Sequence, residues 1–306
     1  MKNVIVLGSI NMDMVISTPY IPQSGETLTG SNFFLNPGGK GANQAVACSK
    51  ENVSTRMIGC VGNDTFGKEL YDKLQNLYKV DVDYLYKLDD VSTGVAMIVV
   101  CNHDNRIILD SGANHKINNE QIDKALLAKA QNGDIFICQL ENNIDAIYYG
   151  IKKAKEKGLI TIFNPAPAIK LDLDIFQYVD YLVVNETEFE IISGIKPTSQ
   201  DNYRKCLELL HSNNLIVTLG SKGSVFIDKN EIIKIDSYKI NPVDTTAAGD
   251  TYVGVFASCL AKDMSVVDSL KYASAASALT CLKPGAQQSI PYEQDVLNFI
   301  KIGENK

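Results

Sequence analysis

Residues 241–255 read Asn-Pro-Val-Asp-Thr-Thr-Ala-Ala-Gly-Asp-Thr-Tyr-Val-Gly-Val. Asn241 and Pro242 favour extended backbone. From Gly249 to about Lys262, Tyr252, Val253, Val255, Phe256, Cys259 and Leu260 are spaced to share one face of a helix. Between the two halves, Thr246-Ala247-Ala248-Gly249 has small side chains that let another molecule approach the backbone. The segment therefore predicts strand, tight turn and helix N-terminus. At that terminus the first amides lack intrahelical partners and the helix dipole is positive, so an anion is favoured. Asp250 stands in the first helical turn, which makes an anion site and a carboxylate base neighbours. Alone it would read as a cap. Asp244 in the same turn, and an Ala-Ala-Gly run that capping does not need, favour chemistry.

The flanking sequence alternates short apolar runs with helical patterns. Strands are expected at Asn3–Gly8, Arg56–Val61, Asp134–Cys138, Thr161–Phe163, Tyr181–Val184 and Leu215–Thr218, then at Ser224–Asp228 and Ile232–Ile235. Helices are expected from Asp64 to Leu77, Asn118–Ala130, Asn143–Lys157, Glu186–Ser193, Asp201–Ser212, Val266–Cys281 and Tyr292–Ile302. Such alternation implies a parallel sheet covered on both faces, with ligands at the strands' C-terminal ends. Polar residues fall at those ends: Glu141, Asn164, and the run Asn185-Glu186-Thr187-Glu188. Thr18–Thr29, with two prolines and a glycine, suggests a short-stranded excursion. Gly94–Val100 and Arg106–Leu109 flank the turn Asn102-His103-Asp104-Asn105 as a hairpin.

A chain of 306 residues that is 45% apolar can bury one large core with an elaboration. The net charge of −7 offers no basic face for nucleic acid. The odd count of seven cysteines, none in a Cys-x-x-Cys pair, reads as buried thiols in a reducing compartment. Three scattered histidines suggest no metal cluster. Met1–Gly8 is only briefly apolar, and no run approaches the ~20 residues of a membrane span, so a cytoplasmic protein free of membrane is expected.

Two further motifs carry chemistry. Gly8-Ser9-Ile10-Asn11-Met12-Asp13 follows the first strand but lacks the dinucleotide fingerprint. Instead Asn11 and Asp13, two apart on extended backbone, point the same way; on local grounds they either form an Asx-turn or suit a polyol's hydroxyls. Asn36-Pro37-Gly38-Gly39-Lys40-Gly41-Ala42-Asn43-Gln44 predicts a turn of Pro and two glycines opening into a small-residue helix. It is no P-loop, because Gly41 rather than Ser or Thr follows the lysine. Thr218-Leu219-Gly220-Ser221-Lys222-Gly223 ends a strand in a glycine turn.

Asp244-Thr245-Thr246-Ala247-Ala248-Gly249-Asp250 resembles the Asp-Thr-x-Ala-Ala-Gly-Asp signature of the ribokinase family of carbohydrate and nucleoside kinases. Gly8-Ser9-Ile10-Asn11, Gly39-Lys40-Gly41-Ala42-Asn43, Asn185-x-x-Glu188 and Gly285-Ala286-Gln287 resemble that family's other motifs, in order along the whole chain. The resemblance implies a three-layer α/β/α sandwich with a mainly parallel central sheet and a small β-sheet lid. The chain is then one catalytic domain, 1–306, with lid segments at about 12–36 and 92–111. It implies ATP-dependent phosphorylation of D-ribose at the 5-hydroxyl, with Asp250 as general base and an anion hole of Ala247, Ala248, Gly249 and Asp250 amides. Asn11, Asp13, Gly39, Lys40, Asn43 and Glu141 are implied sugar-side residues, Lys40 lying near the transferring phosphate. Asn185 and Glu188 would organise Mg²⁺ and phosphate, and Thr218, Gly220, Ser221, Gly223 and Gly249 the nucleotide. Asp244, Thr246, Thr280, Lys283, Gly285 and Ser289 would hold a monovalent cation, K⁺. Apolar Val95, Met97, Ile98 and Val99 need covering, and pairing of lids in a homodimer, as the family often does, would cover them.

Three rivals remain in the sequence. A related kinase for deoxyribose, fructose or a nucleoside shares the phosphoryl machinery, and Asn11 favours ribose because its amide serves a 2-hydroxyl. A non-catalytic sugar sensor would have no use for Asp250. A nicotinamide-dependent oxidoreductase lacks its glycine fingerprint.

Overall fold

The computed structural model describes residues 2–101 and 104–304. Its central strand β1 (Val4–Leu7) shows how the sheet is built. Val4 and Val6 face one core, Ile5 and Leu7 the other, and all four are fully buried. A strand covered on both faces cannot alternate apolar with polar, which is why the strands read as short apolar runs. β4 (Thr55–Gly62) and β8 (Ile135–Cys138) lie parallel on either side of β1. The parallel sheet extends to β5 (Asp81–Leu88) beyond β4, and through β9 (Ile160–Phe163), β10 (Tyr181–Asn185) and β11 (Asn214–Thr218) beyond β8. β12 (Ser224–Ile227) and β13 (Ile232–Ile235) close that edge antiparallel.

One face of this nine-stranded sheet is covered by α1 (Lys40–Lys50), α2 (Thr65–Asp72), α7 (Ala248–Ala261), α8 (Val266–Thr280) and α9 (Glu293–Glu304). The other is covered by α3 (Asn119–Lys129), α4 (Ile144–Glu156), α5 (Glu186–Ser193) and α6 (Gln200–Leu209). The result is a three-layer α/β/α sandwich. A second sheet stands apart, ordered β3-β2-β6-β7 from β2 (Asn11–Ser17), β3 (Ser31–Gly38), β6 (Gly94–Cys101) and β7 (Asp104–Asp110). β2 and β6 run parallel and the outer pairs antiparallel.

Several local expectations are corrected. The excursion at 18–29 carries no strand, and the partner of β2 is β3. Asn36, Pro37 and Gly38 are the end of β3 and pair with Asp13, Met12 and Asn11, so only Gly39 turns. Pro37 is tolerated because β3 is the edge of its sheet and needs no N–H on its outer side. Asp104 and Asn105 belong to β7 rather than to a turn; Asn102 and His103 lie outside the described residues. Residues 236–247 form no strand. They are extended chain fastened by the amides of Val243 and Asp244 to the Cys281 carbonyl. Finally, α7 is buried all round rather than on one face, every residue from Asp250 to Ala261 being inside, because it is sandwiched between α1 and α8.

Candidate active site

The lid sheet and the main sheet meet where β1 passes into β2. Asn11 and Asp13, the first and third residues of β2, are both buried there. Glu141, just past β8, ties this corner together. Its Oε2 accepts from the Ser9 hydroxyl at 2.5 Å, the Asn11 side-chain amide at 3.3 Å and the Lys40 backbone N–H at 3.2 Å. α1 begins beside it from Gly39, whose φ is 90°. A Cβ at Gly39 would lie 2.7 Å from the Asn11 backbone nitrogen, so glycine is what lets the two segments cross.

From the first turn of α1, Asn43 and Gln44 reach across to α7. Asn43 Nδ2 donates to Asp250 Oδ2 at 2.9 Å and Gln44 Nε2 to Asp250 Oδ1 at 3.1 Å. Asp250 is only 8% exposed, and both of its oxygens are aimed. Gln44 is itself held by Gln139 Nε2, which donates to its Oε1 at 2.6 Å, and by Asn164 Oδ1 at 3.2 Å. Asn164 is anchored to the Val183 carbonyl. Ser9, Gln44, Gln139 and Asn164 were not among the predicted site residues. Their signal was a polar side chain at a strand end or beside Asn43 on a helix that is otherwise buried.

Charge is concentrated at this corner. Burial, then the Glu141 and Asp250 carboxylates, push the Asp13 carboxyl up to about 7 against the pull of Lys40. Burial works to lower the Lys40 ammonium, but Asp250, Glu141, Glu188 and Asp13 outweigh it and hold it above its ordinary range. Lys40 is therefore a fixed cation among four carboxylates. Glu188 is raised chiefly by burial, with its bond to Asn185 and the charge of Lys40 opposing. Asn185 and Glu188 form a capping box on α5, Asn185 Oδ1 taking the Glu188 N–H and Glu188 Oε2 the Asn185 N–H.

The N-terminus of α7 has no side-chain cap. Ala247 occupies the left-handed region, with φ 60°, a conformation an alanine holds only under constraint. The Ala248 N–H is directed to the Thr245 carbonyl at 3.2 Å, whereas the amides of Ala247, Gly249 and Asp250 make no hydrogen bond among the described residues. A Cβ on Gly249 would touch nothing, so the space in front of it is open to a ligand. That space belongs to a cleft of about 440 Å³ lined by Thr218, Gly220, Ser221, Gly223, Ala248 and Gly249. Asn185 and Glu188 do not line it; they meet the site from the Lys40 side.

The predicted monovalent-cation residues form a neighbouring cluster. Asp244 Oδ1 accepts from the Thr246 N–H and hydroxyl at 2.9 and 2.7 Å, and Oδ2 from the Gly285 N–H at 2.9 Å. Partial burial works to raise the Asp244 carboxyl, but these three donors hold it below its ordinary range. Ser289 donates to the Gly285 carbonyl, and the Lys283 N–H to the Thr280 carbonyl. The Thr280 hydroxyl points elsewhere, to Thr251 Oγ1, leaving that residue only its carbonyl for such a role.

A buried carboxylate at an uncapped helix start, a lysine held among four carboxylates and a cleft with open amides suit transfer of an anionic group to a hydroxyl. They define a phosphotransferase fold with a lid. The profile of the pfkB family carbohydrate kinases matches residues 1–293, and the chain belongs to that family. It is 36% identical to a ribokinase of Haemophilus influenzae, with 98% of this chain and 99% of that protein covered. It is 33% identical to a deoxyribokinase of Salmonella typhi, with 99% and 100% covered. It superimposes on the ribokinase of Arabidopsis thaliana complexed with ribose and ATP with a TM-score of 0.90, at 27% identity over 98% of this chain and 99% of that one.

Proposed function

We propose that the protein transfers the γ-phosphoryl group of ATP to the 5-hydroxyl of D-ribose. The observation that carries the reading is Asp250, whose two oxygens are held by Asn43 and Gln44 at the mouth of an uncapped helix. Asp250 takes the proton of the sugar hydroxyl as that oxygen attacks phosphorus. The open amides of Ala247, Gly249 and Asp250 meet the developing charge, as donors fixed in advance commonly contribute about 10²–10³-fold each. Asn11, Asp13, Asn43 and Glu141 hold the sugar, Lys40 stands beside the transferring group, and Thr218, Gly220, Ser221 and Gly223 frame the nucleotide.

Two ions complete the reading. Asn185 and Glu188 are the residues that would hold Mg²⁺ and its water; Glu188 has an oxygen outside the capping box, and oxygen ligands suit a hard cation. When bound, Mg²⁺ neutralises phosphate charge. Asp244, with the oxygens of Thr246, Thr280, Lys283, Gly285 and Ser289, offers an all-oxygen donor set suited to K⁺, which would brace the loop bearing the amides. The exposed apolar lid favours a homodimer, and seven unpaired cysteines, six of them buried, favour a reducing, cytoplasmic setting. Among the described residues no helix is long and apolar enough to cross a membrane.

Asp250→Asn keeps the shape but leaves one oxygen for the two amide donors, and it removes the base. Its kcat for ADP release with D-ribose is expected to fall at least ~10²-fold while ribose still binds. Near-normal turnover would remove Asp250 from the mechanism. Similarity to a deoxyribokinase makes the 2-deoxy sugar the second substrate to assay.

A further inference from the structure

Asn114 lies in the 3-10 turn Gly112–Lys116, which leads from the lid into α3, and its side chain is fully buried. Its Oδ1 accepts the Ile10 backbone N–H at 2.9 Å. Its Nδ2 donates to the Ile10 carbonyl at 3.2 Å and to Asn11 Oδ1 at 2.7 Å. A backbone N–H can only donate and a backbone carbonyl can only accept, so Ile10 dictates which end of the Asn114 amide is which. The Asn11 atom facing Asn114 Nδ2 must then be oxygen. Asn11 Nδ2 is consequently turned to the sugar corner, where one of its hydrogens goes to Glu141 Oε2 at 3.3 Å.

The surroundings pack closely on this pair of amides. Gly94 is the partner of Asn11 in the β2–β6 ladder, and a Cβ there would come within 2.3 Å of Asn114 Nδ2 and 2.4 Å of Asn11 Oδ1. Asn142, next to Glu141, donates to the Asn114 carbonyl at 3.0 Å and fixes the turn from the other side. Lid strand, core loop and the Glu141 loop therefore converge on one buried amide.

We propose that Asn114 is a positioning residue for sugar specificity. By holding Asn11 Oδ1 while Nδ2 rests on Glu141, it fixes the Asn11 amide in one place and orientation, so that its second N–H is aimed at the hydroxyl oxygen that ribose has and the 2-deoxy sugar lacks. The inference rests on the sugar-phosphorylation reading above. Asn114→Asp keeps the acceptor for the Ile10 N–H but loses both donated bonds, so Asn11 turns its N–H toward the introduced carboxylate, which sets its carbonyl against Glu141 Oε2 and displaces it from the sugar hydroxyl. Asn114→Ala frees Asn11 without placing a new charge in the core.

The experiment measures kcat and KM for D-ribose and 2-deoxyribose in the wild type and both variants. The ribose to deoxyribose ratio of kcat/KM is expected to fall roughly tenfold in Asn114→Asp, the loss of one hydrogen bond to a substrate hydroxyl. The fall should come through the KM for ribose, with kcat and the KM for ATP within about twofold, a split that general structural damage does not produce. Asn114→Ala should show a smaller fall in the same direction, and none when added to Asn11→Ala. A soluble variant with an unchanged ratio, or a further fall in the Asn11→Ala background, overturns the role of Asn114 alone. A wild type that turns over neither pentose overturns the phosphorylation reading and this inference with it.

Discussion

Asp13 is a carboxylate whose charge the protein resists: burial, Glu141 and Asp250 raise it to about 7, while Lys40 pulls the other way. The folded protein thus binds this proton more tightly than the unfolded chain, whose value is near 3.8. The resulting contribution to stability is fully present below about pH 3.8 and is lost as pH rises through about 7. At pH 8 an ionised Asp13 is a standing cost, which the proposed role as an acceptor for sugar hydroxyls would account for. Asp13→Asn should therefore melt at a higher temperature than the wild type at pH 8, with the advantage shrinking toward pH 5. Calorimetry with D-ribose alone should show its affinity reduced by about tenfold or more. An unchanged melting temperature at pH 8 would mean that the charge is not costly. A gain in stability with sugar binding intact would separate Asp13 from the sugar.

Two loops, 244–247 before α7 and 284–290 after α8, are joined by Asp244, which takes donors from both. The second is held from beneath by Lys50, at the end of α1, whose ammonium donates to the carbonyls of Gln287 and Ile290 at 2.9 and 2.7 Å. Lys50 already fixes the 287–290 half of that loop, Ser289 included, so a monovalent ion would have only the first half to order, beside Asp244 and Gly285. ADP release with D-ribose should accordingly rise more with K⁺ than with Na⁺, and Asp244→Asn should blunt the difference. Equal rates in both salts in the wild type would set the cation reading aside. At this scale the sequence discloses much. The two-faced apolar strands announce the covered sheet, and Asp250, Asn43, Lys40 and Glu141 stand out because the motifs that carry them recur in order along the chain, and the fold brings them to one corner. The tasks of Gln44, Asn114, Gln139 and Asn164 are not legible, although Asn164 stands out as a polar strand end. A buried amide's task depends on which backbone or side chain tertiary packing brings to it, and their partners lie far away in sequence. The missing strand at 241–242 has the same origin. Extended residues become a strand only when a neighbour offers a ladder, and here only the single Cys281 carbonyl does so.

The whole molecule is a sandwich that buries both faces of its main sheet and a lid that leaves apolar surface open. Phe33 is 61% exposed, Met97 55%, Ile107 56% and Ile108 70%, with Phe34 and Leu35 also exposed. Ile107 and Ile108 are neighbours on an edge strand and point to opposite faces, as do Phe33 and Phe34 on the other edge, so each edge is apolar on both sides. Among the described residues one copy of the chain places no further element over them, and an apolar patch between unpaired strand edges is what a second sheet covers. Two lids packed together would also stiffen β2, which carries Asn11 and Asp13, so that association would support sugar binding. Ile108→Lys puts a charge at the most exposed of these positions without touching the phosphoryl site. Sedimentation at micromolar concentration is expected to show the wild type as a dimer and Ile108→Lys shifted toward monomer. The variant should have a raised KM for the sugar and a melting temperature of the sandwich within a few degrees of the wild type. A monomeric wild type would show that the lid surface is not used for self-association. A dimer indifferent to Ile108→Lys would place the contact elsewhere on the molecule.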